Sequence, residues 1–336
     1  MGGALIDSSL VTLWPLFATT ALYHTIASFI ENRQPPPGQL IDVDGRKLHL
    51  WHIRSSAPDA THRPTVVLEH SLGGVEGYLL IRRIAEFANV CLCDRAGYGW
   101  SEISPKAMTS EERVRSLHIA LAKAAVAPPY ILVGDSLGSY HMRLFAHQHP
   151  DKVAGLVLTD GLHEKELLRM PLSLRLIQLL FFSGFVISIA GSALGTIRLA
   201  GATGLFTVIK PDLKTFSAAE LQPVLRSFYR SKHWFAMARE IACLDKCGQQ
   251  LKVAHDLKDL PLISIKAQHF FKPVGLITLL PLATVERLRD KMHDDLMRLS
   301  TQCSQLQAAS SSHFVWVDQP DVIVHAVKRV LDMKSG

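Results

Sequence analysis

No lysine or arginine stands ahead of the first apolar run of this chain, and Asp7 occupies the place where a cleavable secretory signal carries its positive segment. That absence argues against a leader that is removed. The run itself, residues 8–30, reads SSLVTLWPLFATTALYHTIASFI and carries no formal charge, over about the length of a bilayer-spanning helix. Pro15, His24 and several hydroxyls weaken a strictly transmembrane reading. Residues 1–33 are therefore expected to be a membrane anchor or interfacial helix, with a helix lying across the globular body as the alternative. The opening MGGALI has Ile6 where a myristoylation signal has Ser or Thr, which argues against that lipid anchor.

A disulfide framework is lacking as well. The cysteines are Cys91, Cys93, Cys243, Cys247 and Cys303, an odd number spread thinly, and are expected to be reduced, buried thiols. Two pairs share a face, but no further ligands at matching spacing accompany them, so no metal is expected. The formal charge is +6 with a pI near 9.1, yet the basic residues are scattered and no basic run is interleaved with aromatics. Nucleic acid is not expected as a partner; a basic soluble surface is, with an anionic membrane surface as the alternative. Apolar residues at 48% of the 336 exclude a disordered chain and suit one core carrying an insertion.

After a stiff QPPPG spacer, two strand-like runs flank Asp44-Gly45, a strong hairpin signal. Short apolar runs follow at residues 65–68, 90–93, 130–133, 156–159 and 261–265, with helical patterns at 77–88, 111–124 and 321–331. Continuous apolar runs alternating with helices predict a doubly wound α/β core whose mostly parallel central sheet is buried on both faces. The alternation breaks after Asp160 and resumes at Pro261. Residues 38–160 and 259–336 are read as the core, and residues 161–258 as an inserted helical cap.

The segment YILVGDSLGSYHMRLFAHQH places a buried strand, then Gly134-Asp135-Ser136-Leu137-Gly138, then a helix. A G-x-S-x-G in that context makes a strained strand-to-helix turn that presents the serine hydroxyl at the positive end of a helix. Outside it, the same glycines would make an ordinary turn. Gly134 to Leu137 also spells the GDSL signature of another serine hydrolase fold, but the serine lies far from the amino terminus, and that match is set aside.

LEHSLGG, DRAGYGWSE, VGDSLGSYHMRLFAHQHPDKVAGLVLTD and SSHFVWVDQPDVIVHAVKRVL resemble, in order, the landmarks of the α/β-hydrolase superfamily. The resemblance covers residues 38–160 and 260–333 and leaves out the cap and the first helix. It implies Ser136 as nucleophile and His313, between the last strand and the final helix, as general base. Oxyanion donors would be the backbone N–H groups of Leu137 and Leu72, although Ser71 stands where the family has glycine. No Asp or Glu occurs from Pro261 up to Glu286, where many relatives carry the triad acid. Asp160 matches the position that other relatives, haloalkane dehalogenases among them, use instead; its alternative is a strand-end turn aspartate. Asp94 matches the family's structural Asp-Arg turn. A serine nucleophile disfavours dehalogenase and epoxide hydrolase chemistry.

The cap includes a second long apolar stretch, and residues 176–197 could be scored as a membrane span. The function expected is a carboxylesterase or lipase-like hydrolysis of small apolar or lipid-like esters without a cofactor, on a membrane or otherwise in the cytoplasm. The rival is a non-catalytic member that binds an apolar ligand under its cap.

Overall fold

The computed structural model describes residues 8–60, 62–271 and 281–335. The myristoylation motif and Asp7 lie outside the described residues, as does part of the acid-free segment between Pro261 and Glu286. Eight strands form one sheet: β1 (Gln39–Val43), β2 (Arg46–Ile53), β3 (Thr65–Glu69), β4 (Val90–Cys93), β5 (Tyr130–Asp135), β6 (Val153–Thr159), β7 (Leu262–Ala267) and β8 (Cys303–Ala308). Their order is β1-β2-β4-β3-β5-β6-β7-β8. The β1–β2 and β2–β4 pairs are antiparallel and all the others parallel. Val43 pairs with Arg46, so Asp44 and Gly45 make the whole turn, each at positive φ (54° and 75°). A two-residue hairpin requires that geometry, and Asp-Gly tolerates it.

Strands β3 to β6 are buried along their full length, which is why they read as unbroken apolar runs rather than alternating ones. On one face of the sheet lie α3 (Ser110–Lys123), α4 (Leu137–Gln148) and α12 (Leu282–Leu296), which contribute Leu117, Phe145 and Leu296 to the core. The other face is covered by α2 (Ile81–Ala85), α13 (Val315–Asp318) and α14 (Pro320–Ser335). In α14, Ile323, Ala326, Val327, Val330 and Leu331 are buried, the i, i+3, i+4, i+7, i+8 stripe of a helix with one wet face. The helix expected over 77–88 is shorter, because residues 76–79 form a 3₁₀ turn before α2. Strand β8, CSQLQA, had no signal: it is an edge strand with a half-exposed, polar pattern.

Between β6 and β7 the chain is helical: α5 (Glu164–Leu167), α6 (Leu172–Ala193), α7 (Thr196–Ala202), α8 (Leu205–Ile209), α9 (Ala218–Phe228), α10 (Ser231–Ala242) and α11 (Leu244–Gln250). The first helix, α1 (Ser8–Asn32), packs against this cap rather than across the sheet. Thr20 Oγ1 donates to the Leu194 carbonyl at 2.8 Å, and Glu31 accepts from Arg198 and Arg230. An anchor independent of the folded body would lack these bonds. The spacer is docked too, since the Pro37 carbonyl meets the buried His49 ring.

Candidate active site

Asp135 and Thr159 are register partners on β5 and β6, so Ser136 and Asp160 follow side by side at the carboxyl ends of adjacent parallel strands. His313 lies five residues beyond Ala308, the end of β8, at the same edge of the sheet. Open parallel sheets gather their reactive groups at this edge.

Ser136 adopts φ 48° and ψ −111°, a strained conformation held because its N–H donates to the Thr159 carbonyl at 2.9 Å and α4 begins at the next residue. The flanking glycines are sterically required: a Cβ on Gly134 would lie 2.6 Å from the Gly138 carbonyl oxygen, and one on Gly138 would lie 2.6 Å from those of Glu69 and His70. The sharp turn and its close approach to the β3 loop therefore depend on one another.

The structure brings Ser136, His313 and Asp160 into a hydrogen-bonded row. His313 Nε2 lies 3.0 Å from Ser136 Oγ, and His313 Nδ1 lies 2.6 Å from Asp160 Oδ2. Phe270 stacks on the imidazole at 4.3 Å. Just upstream, Ser312 donates its N–H and its hydroxyl to Asp318 Oδ2 at 2.8 and 2.7 Å, which pins the loop to α13.

Sequence reasoning missed the partners of Asp160. Its φ is 39°, and its Oδ1 accepts from the Ala267 N–H at 3.2 Å and from His293 Nε2 at 3.0 Å. Arg289, one turn before His293 on α12, places its guanidinium 3.6 Å from Oδ2. Burial opposes ionisation of this carboxyl, but hydrogen bonds from His293 and His313 outweigh it and hold Asp160 well below the usual carboxylate range. Nothing local in the sequence marks His293; only its i+4 spacing from Arg289 puts both on one helix face.

Leu137 opens α4, and Leu72 lies in the turn after β3, whose Glu69 and His70 carbonyls touch Gly138. Among the described residues no acceptor is bonded to the N–H of either leucine. The turn is clamped from beneath. Arg95 donates to Glu69 at 3.0 Å, to the His70 carbonyl at 2.8 Å and to Glu240 of α10 at 2.6 Å, while Arg113 pairs with Glu69 at 2.6 Å. Burial raises the Glu69 pKa, and the two guanidinium groups reverse that, bringing it down to about 2. Ser71, at the family's glycine position, donates its N–H to Glu76 at 3.0 Å. Asp135 is not among the partners of His313: it lies beside Glu76 behind the turn, where burial first, then the charge of Glu76, pushes its pKa well up. Asp94 is likewise a frame residue, accepting from Tyr78 at 2.7 Å and from the Trp100 N–H at 3.1 Å, with His49 2.9 Å away.

The five cysteines are free, and among the described residues no group of His, Cys, Asp and Glu could hold a metal ion. Burial raises the pKa of Cys91 and Cys93, which keeps both as inert thiols.

A family model for the α/β hydrolase fold matches residues 64–229. A vacuolar membrane protein of Saccharomyces cerevisiae is 29% identical over 185 residues, 49% of this chain but only 28% of that protein. The match thus spans less than a third of that relative's length. Cfl2 of Burkholderia cenocepacia superposes with a TM-score of 0.61 at 17% identity, covering 87% of this chain and 95% of that one. The enol-lactonase of Burkholderia xenovorans gives 0.55 at 16%, covering 88% and 100%. With its sheet order, its elbow and this match, the chain belongs to the α/β-hydrolase superfamily.

Proposed function

We propose that the protein is a serine hydrolase that cleaves carboxylic esters of apolar or lipid-like substrates through an acyl-enzyme intermediate. The observation that carries this reading is the row Ser136 Oγ, His313 Nε2, His313 Nδ1, Asp160 Oδ2, with its two links of 3.0 and 2.6 Å. An ionised Asp160 only accepts, so Nδ1 carries the proton and Nε2 is left to take one from the serine hydroxyl. Ser136 Oγ then attacks the ester carbonyl and His313 receives its proton. The oxyanion is met by the N–H groups of Leu72 and Leu137. On collapse, His313 returns the proton to the departing alkoxide, and a water deprotonated by His313 releases the acid by the same route.

The rival reading, a non-catalytic protein binding an apolar ligand, rested on Ser71 and on the acid-free segment after β7. Asp160 offers the acid from β6, and the Ser71 N–H is engaged with Glu76 away from the elbow. Both facts favour the enzyme. The partner we propose is a small apolar ester, not nucleic acid, and the place of action is a membrane; the vacuolar membrane relative and the apolar α6 support that placement. A panel of p-nitrophenyl esters of graded chain length, assayed on the wild type and on Ser136→Ala, tests the reading. Hydrolysis lost in the variant is expected; equal turnover by the two proteins would dismiss the elbow as the site.

A further inference from the structure

The outward surface of α1 and of the cap is inverted relative to a water-facing one. On α6, Leu176, Leu180 and Ile187 are 58, 66 and 72% exposed, and no charged side chain occurs between Arg175 and Arg198. Its inward face is the more polar: Gln178 donates to the Ile241 carbonyl at 3.3 Å, and the Ser192 hydroxyl lies 2.9 Å from that of Ser231. A helix more polar inside than outside does not face water. The same surface continues onto α1, where Leu22, Ile26 and Ile30 are more than half exposed, and onto α8, where Val208 and Ile209 are each 71% exposed.

The exposed hydroxyls point the same way. Thr19, Thr25, Ser183 and Ser188 each donate to the carbonyl four residues earlier, at 2.7 to 2.9 Å, although they lie on the surface. Water would compete for such groups, whereas hydrocarbon leaves the i−4 carbonyl as the sole acceptor. Cations mark the borders of the apolar stretches, with Arg33 after α1, Arg169 before α6 and Lys214 after α8, all exposed.

Reach decides between lying in a bilayer and crossing it. Contacts to α10 recur along α6, at Gln178, Phe185 (6.3 Å from the Trp234 ring) and Ser192, so α6 lies flat on a helix that is itself tied to the core through Glu240 and Arg95. In α1, Thr20 and Glu31 are fastened to the cap, and residues 8–19 of the helix stand ahead of the first of these bonds. At about 1.5 Å per residue that is roughly 18 Å, enough for one leaflet and short of a hydrocarbon core about 30 Å thick.

We propose that α1 and the outward faces of α6 and α8 form one docking surface that enters a single leaflet of an anionic bilayer without crossing it. The surface ends beside the triad: Lys210, directly after α8, lies 3.4 Å from Ser312 Oγ and 5.2 Å from the Phe314 ring, on either side of His313. Resting on the ester hydrolase reading, this makes the substrate a membrane-borne ester that reaches Ser136 sideways from the leaflet.

The test is flotation of the full chain with phosphatidylcholine vesicles containing phosphatidylserine, read without any activity so that it stands apart from the hydrolase reading. The wild type floats, and both L180E/I187E on α6 and L22E/I26E on α1 stay in solution while melting as the wild type does. Against a vesicle-borne long-chain ester the two variants lose at least about tenfold, while a soluble short ester is turned over within about twofold. Glycan acceptor sites added at both chain ends and translated with microsomes are both modified or both unmodified. Variants that still float, a wild type that forms dimers broken by L180E/I187E instead of floating, or a single modified end would each overturn the proposal.

Discussion

Asp160 accepts a histidine N–H on each of its two oxygens, from His313 Nδ1 at 2.6 Å and from His293 Nε2 at 3.0 Å. The second histidine is buried and rests on Ser264, whose hydroxyl lies 3.2 Å from its Nδ1. Asp160 thus joins a β7 serine and an α12 histidine to the nucleophile, and its orientation does not depend on His313.

Replacing Asp160 with Asn should lower kcat by about 10⁴-fold, because the amide presents a donor to Nδ1 and forces the wrong tautomer. The same change leaves buried donors mismatched and should cost about 1–3 kcal/mol of stability. Burst kinetics and a urea melt check both. Activity within a few-fold of wild type would place the acid elsewhere.

His293→Leu should lower kcat with little change in KM, since it frees Asp160 Oδ1 from all but the Ala267 N–H. His293→Gln, which can still donate, should recover much of that loss. Steady-state kinetics on the two variants separates the positioning role from packing, since a role in packing alone would not distinguish them by kcat.

Gly138→Ala tests the coupling of elbow and oxyanion turn. Its Cβ would meet the Glu69 and His70 carbonyls at 2.6 Å, so both the fold and the donors must shift. A lower melting temperature together with a fall in kcat is expected, and a neutral outcome would mean that the two segments do not touch as described.

Acid should weaken the fold early. Burial holds His141 and His233 neutral, each with its pKa lowered to about 3. Between pH 3 and 6.5 the unfolded chain binds protons that the folded one refuses, so stability rises with pH across that window and falls on acidification. The slope is at most about 1.4 kcal/mol per pH unit for each histidine. Urea denaturation at several pH values measures it, and His141→Phe should flatten it.

The elbow and Asp160 were legible because each follows an apolar run that the sheet buries on both faces, and His313 because its place in the order of landmarks along the chain resembles that of the superfamily. What lay hidden was set by long-range packing. His293, Arg289 and Asp318 sit on helices with ordinary amphipathic patterns, and β8 is polar because one side of it is open. The bond between Glu31 and Arg198 joins residues 167 positions apart, and no local pattern announces it. The alternative reading of residues 1–33, a helix lying across the globular body, therefore meets a different neighbour in the structure, the cap and not the sheet.

The most direct test of the central claim is covalent labelling by a fluorophosphonate, followed by peptide mapping. The account predicts one adduct, on Ser136, formed in the wild type, slowed by orders of magnitude in His313→Ala and absent in Ser136→Ala. An unlabelled wild type, or an adduct on another serine, would contradict it.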